Sequence, residues 1–80
     1  MAKVDDVSEM VGSTAGKIWA FLDQNESYGV SKMVKVLQIE DKWVQRGIGW
    51  LALEGKVFIS IVNRAETITL IREYNRGLVD

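Results

Sequence analysis

Cysteine, proline and histidine are all missing from this 80-residue sequence. Without cysteine there is no disulfide and no thiolate metal site, which fits a reducing compartment. Without histidine the commonest general base near neutral pH is gone. Without proline there is no Pro-rich linker and no rigid turn of that kind. No run of about 18 apolar residues occurs, so no membrane span is expected. The amino-terminal MAKVDDVSEM has no apolar core of the kind a secretory signal needs, and cytoplasm is the expected location.

The acids do not make up for these absences. Asp5-Asp6 and Glu40-Asp41 are adjacent in sequence. On a helix neighbours point about 100° apart, so neither pair forms a shared acid–base site. The remaining Asp and Glu residues are too scattered for a metal cage. Gly47-Ile48-Gly49 lacks the preceding strand that a nucleotide-binding loop needs, and Gly55-Lys56 lacks an upstream glycine-rich loop. No catalytic residue, metal or cofactor is therefore expected, and an enzyme is disfavoured.

What is present is enough apolar material for one core. Hydrophobic residues make up 48% of the chain, and a chain of this length forms one domain over residues 1–80, with a core from about 8 to 74. The net charge of −1 argues against a strong non-specific grip on nucleic acid. Its distribution is uneven. Residues 31–64 hold six cations (Lys32, Lys35, Lys42, Arg46, Lys56 and Arg64) against three acids, whereas residues 1–30 are net acidic.

Asp41 to Val57 organises the rest. Val44, Ile48 and Leu51 recur at i, i+4, i+7, one face of a helix. Gly55 supplies a left-handed stop, and Lys56 is placed in the last turn, where a cation suits the dipole. Val57, Ile59 and Ile61 then alternate with period 2, which predicts a strand with those three residues turned inward. Upstream, Val11, Ala15, Ile18 and Leu22 predict a first helix from about Ser8 to Asp23. Gly12 and Gly16 inside it predict either a close approach by another backbone or a helix that starts nearer Ser13. Asp23 to Gly29 reads as a polar loop, with a short strand at Val30. Ser31 reads as the N-cap of a short helix, Lys32 to Gln38, with Met33, Val34 and Leu37 facing the core. Ile39-Glu40-Asp41 is the expected turn of a helix-turn-helix. Asn63-Arg64-Ala65-Glu66 is the expected hairpin tip, and Thr67 to Tyr74 the return strand.

The order predicts an α+β fold, mainly α: a winged helix-turn-helix of three helices with a two-stranded antiparallel wing and a short extra strand. Two stretches narrow it further. Thr14-Ala15-Gly16-Lys17-Ile18-Trp19, and Gly47-Ile48-Gly49-Trp50-Leu51-Ala52 followed by Glu54-Gly55-Lys56-Val57, resemble a small bacterial winged helix-turn-helix family of unknown function. The resemblance covers roughly residues 10–74 and implies a winged-helix fold with a role in transcription.

Two functional readings follow. In the first, the central helix enters the major groove of double-stranded DNA. The face opposite Val44, Ile48 and Leu51 carries Lys42, Gln45, Arg46, Gly49 and Leu53. Arg46 suits guanine and Gln45 suits adenine, because their planar groups match those base edges. Lys42 suits a phosphate; Ser31, Lys32 and Lys35 suit the backbone, and Arg64 at the wing tip suits a minor groove. The bland alternative for each is a solvated polar position. In the second reading the fold is a protein-interaction or homodimer module. Its candidate interface is Phe58, Val62 and Ile71 on the outer wing face, with Trp43 and Trp50 on one flank of the central helix.

Overall fold

The change of period after Gly55 is where the chain passes from helix to sheet. The computed structural model describes residues 2–72, with side chains from Asp6 onward. Along the chain come α1 (Ala2–Asn25), β1 (Ser27–Gly29), α2 (Val30–Leu37), α3 (Asp41–Leu53), β2 (Val57–Val62) and β3 (Ala65–Leu70). The three strands form one antiparallel sheet in the order β1-β3-β2. This is the expected winged helix-turn-helix, with β1 as the extra strand. The expected strand end at Tyr74 lies outside the described residues, as does the tail after it.

The core lies where α1 and α3 cross above the sheet. Ile18 and Leu22 from α1, Met33 from α2, Val44 and Ile48 from α3, and Ile68 from β3 are fully buried. Each such side chain contributes roughly 1.5–3 kcal/mol of apolar burial. Ala15, Val30, Leu51, Val57 and Leu70 complete the cluster, with Val34 and Leu37 packed half-buried against it. The apolar stripes read from α1, α2 and α3 therefore face the same interior, with Val11 half-buried at the edge.

The helix crossing depends on Gly47. A Cβ there would lie 3.0 Å from Ile18 Cδ1, 3.2 Å from the backbone nitrogen of Ala15 and 3.2 Å from Thr14 Cγ2. The close approach expected at Gly12 and Gly16 is absent; nothing lies within 4 Å of a Cβ at either. Nor does α1 begin near Ser13. It starts at Ala2, since residues 2–11 contain neither glycine nor proline to stop it.

The helix ends also differ in detail. Gly55 has φ +74°, as its role as a left-handed stop requires. Its N–H donates to the Ala52 carbonyl at 3.0 Å, and the Lys56 N–H to that of Leu51 at 2.9 Å. These two bonds are a Schellman closure of α3. Lys56 consequently lies beyond the last turn rather than in it, and it pairs with Glu54 at 3.5 Å. Ser31 is not an N-cap: α2 starts two residues earlier than expected, at Val30, with Gly29 as its cap and no side-chain capping bond. Val30 itself is helical, and the short strand precedes it. The turn between α2 and α3 has no glycine, and Gln38 takes the left-handed position at φ 57°.

Two contacts fasten the sheet to α1. Phe21 and Tyr28 meet edge to face, with ring centroids 4.6 Å apart. Arg72, just past β3, donates to the Asp23 carboxylate and to the Asp23 backbone carbonyl, both at 2.9 Å, and lies 3.5 Å from Glu26. The hydrogen bond to Asp23, reinforced by both negative charges, raises the Arg72 pKa further, so it stays cationic.

The glycines of α3 should respond in opposite directions. Gly49 faces open space, so Gly49→Ala should add about 0.5–1 kcal/mol through helix propensity. Gly47→Val should cost about 2 kcal/mol or more by forcing α1 and α3 apart. Urea unfolding midpoints of the two variants check both signs.

Candidate nucleic-acid interface

The exposed face of α3 follows from its buried one. With Val44, Gly47, Ile48 and Leu51 turned into the core, Lys42, Gln45, Arg46, Gly49 and Leu53 are left on the surface. Leu53 is 87% exposed, so an apolar side chain stands at the carboxyl end of this face. Trp43 is half-buried beside the face, and two cations lie over it. The Lys42 Nζ is 5.7 Å from its ring centroid, and the Arg46 guanidinium carbon is 4.9 Å away. The indole thus gathers both charges onto the amino-terminal half of α3.

The wing meets this face through a residue the sequence reading gave no role. Glu66 on β3 accepts a hydrogen bond from Gln45 Nε2 at 3.4 Å. Glu66 pairs with Ile61 across the strands, which puts the two side chains on one face of the sheet. Strand alternation back from Ile68 places it there, on a strand that begins two residues earlier than the expected hairpin tip allows. The loop is only Asn63-Arg64, since Val62 already pairs with Ala65.

That tight loop has a conformational cost. Asn63 has φ 51° and Arg64 φ 67°. A two-residue turn with both centres left-handed suits the twist of the flanking strands. Asparagine tolerates this region, whereas arginine is strained by roughly 1–2 kcal/mol. Ser31 and Lys32, at the start of α2, share a shallow groove with Val62, Asn63 and Ala65 of the wing. Lys35 is exposed on the next turn of α2. Two contacts therefore join α2 and α3 to the wing: this groove, which Lys32 and Glu66 both line, and the Gln45–Glu66 bond.

The other candidate residues separate. Phe58, Val62 and Ile71 share the outer sheet face, and Phe58 and Val62 are about half exposed. Ile59 and Ile61, expected to turn inward, are instead exposed at 46% and 65%. The helices are too few to cover the strand beyond Val57. Trp50 lies away from Trp43's cations, in a second concavity with Trp19, over a floor left open by Gly12 and Gly16. Among the described residues no group of three or more acids could hold a metal ion, and no helix is long and apolar enough to cross a membrane.

Residues 5–70 match the winged helix-turn-helix domain family DUF2582, and the chain belongs to that family. An uncharacterized protein of Methanocaldococcus jannaschii is 37% identical over 59 residues, spanning 70% of this chain and 83% of the relative. A transcriptional regulator homologue protein from Pyrococcus horikoshii has the same fold, with a TM-score of 0.63 at 22% identity. The match covers 98% of this chain and 83% of that one. The family expected from the sequence is therefore the right one. Its expected bacterial character is not supported, since these two relatives are archaeal.

Arg64→Gly should relieve the strain at the tip. Its expected effect is a gain of about 1 kcal/mol, seen as a higher urea midpoint with the helical circular-dichroism signal unchanged.

Proposed function

We propose that this winged helix-turn-helix protein is a non-enzymatic DNA-binding regulator of transcription, with α3 as the helix that enters the major groove. The observation that carries this reading is Arg64. A long cation occupies a left-handed turn position where glycine would be easier. A residue kept in a strained conformation at an exposed tip points to a function there. A minor groove or a phosphate is the partner that its charge suits.

The roles divide by chemistry. Arg46 forks onto guanine, and Trp43 beneath it limits its freedom in advance of binding. Lys42, Lys32, Lys35 and Ser31 contact phosphates. Gln45 reads adenine once it leaves Glu66, and Gly49 lets the helix approach the groove closely. Glu66 works against binding, because its carboxylate stands among the cations. A second reading, association of two copies, rests on the exposed apolar residues of β2 and needs no nucleic acid.

The test is fluorescence anisotropy with a duplex selected from a random pool. Arg46→Ala should weaken binding by about 1–3 kcal/mol and relax the preference at one base pair. Arg64→Gly should weaken binding although it stabilises the fold. Glu66→Gln should strengthen binding roughly threefold by removing a like charge from the phosphate-facing surface. Unchanged affinity in all three variants would remove α3 and the wing from the interface.

A further inference from the structure

β2 is an edge strand, because the sheet order is β1-β3-β2. Its hydrogen-bonding direction is fixed by the turn. In a two-residue hairpin the closing pair, Val62 and Ala65, exchanges both main-chain bonds. The main-chain groups of Val62, Ser60 and Phe58 therefore point at β3, and the Ile71 N–H donating to the Lys56 carbonyl at 2.8 Å continues the same alternation. The N–H and C=O groups of Val57, Ile59 and Ile61 point the other way, off the edge of the sheet. Among the described residues no main-chain partner meets them there.

Edges of this kind are usually blunted by lysine, proline or a bulge. Here Val57–Val62 reads VFISIV, with no charge and no proline, and it pairs with β3 in unbroken register. Phe58, Ile59, Ile61 and Val62 are all about half exposed or more. These four are symmetric in polarity about Ser60: apolar, apolar, Ser60, apolar, apolar.

We propose that β2 pairs antiparallel with β2 of a second copy across a two-fold axis at Ser60, joining two three-stranded sheets into one. In that register Ile59 faces Ile61 of the second copy in hydrogen-bonded pairs, so the four main-chain groups of Ile59 and Ile61 are satisfied on each strand. Phe58 faces Val62 of the second copy on the outer face. Ser60 faces its own symmetry mate in a non-hydrogen-bonded pair, where hydroxyls can bond. Shifting the axis by one residue, to Ile59, would place Phe58 against Ser60 and Val62 against Lys56, so the pattern selects the Ser60 axis. The paired stretch carries no charge and so meets no like-charge repulsion in itself. The nearest cations, Lys56 and Arg64, come opposite one another at its ends.

The area sets the strength. Four partly exposed side chains per copy bury on the order of 700–800 Å² in total, below the roughly 1,200 Å² of a standard interface. The dimer is accordingly concentration-dependent rather than obligate. This inference deepens the self-association reading and is independent of DNA binding.

The experiment uses the full chain without DNA. Sedimentation from about 10 μM to about 1 mM should show a dimer fraction that rises with concentration, and Ile61→Lys should remain monomeric with its helical signal intact. Because the sequence has no cysteine, Ser60→Cys introduces a single thiol. Across the axis the Cα atoms would be about 4.5 Å apart, within disulfide range. Mild oxidation should link Ser60→Cys at least about tenfold faster than the exposed control Gln24→Cys. If the wild type dimerises but Ser60→Cys links no faster than the control, the edge pairing is wrong and the self-association reading stands. A wild type that stays monomeric at about 1 mM overturns both.

Discussion

The architecture depends on how closely α1 and α3 approach at Gly47. A hydrogen in place of a side chain lets α3 lie against the backbone of Ala15. That contact seats Val44, Ile48 and Leu51 over Ile18 and Leu22 in a single buried cluster. It also fixes the rotation of α3 about its own axis. Once Gly47 points inward, the opposite side of the helix is settled as the surface that presents Lys42, Gln45, Arg46 and Gly49. The packing constraint and the candidate reading face are therefore two sides of one helix. A change that rotates α3 to relieve crowding at Gly47 would also turn the reading face.

Small size shapes the surface. Among the described residues the three helices cover only part of the three-stranded sheet, and the core ends at Val57 along β2. Beyond it the strand leaves apolar side chains on both faces and, among the described residues, main-chain groups without partners along its edge. The wing is economical: its loop is only Asn63-Arg64 and places a cation at its end.

Most of the fold was legible because its signals are periodic. Val44, Ile48 and Leu51 marked the buried stripe of α3, and Gly55 marked its end through a backbone requirement that few residues meet. What was not legible depends on contacts between distant parts of the chain. Sequence alone could not say which of Gly12, Gly16 and Gly47 meets a neighbouring helix, because each sits within a helical pattern. Ser31 looked like a cap, but Gly29 in β1 had already set where the backbone turns into α2. Ile59 and Ile61 alternate correctly with Val57, yet alternation defines a face without saying what covers it. The candidate interface was legible as charges on α2, α3 and the wing. Glu66 in their midst was not, because a hairpin tip drawn two residues too wide hid the strand position it occupies.

α3 and the wing are proposed here as a surface for duplex DNA. The most direct measurement is the salt dependence of wild-type binding to a mixed-sequence duplex, starting at low ionic strength. With Lys32, Lys35, Lys42 and Arg64 on phosphates, the logarithm of affinity should fall with the logarithm of salt at a slope of about −3 to −4. A slope near zero, or no binding even at low salt to either this duplex or a selected pool, would rule out α3 and the wing as that surface.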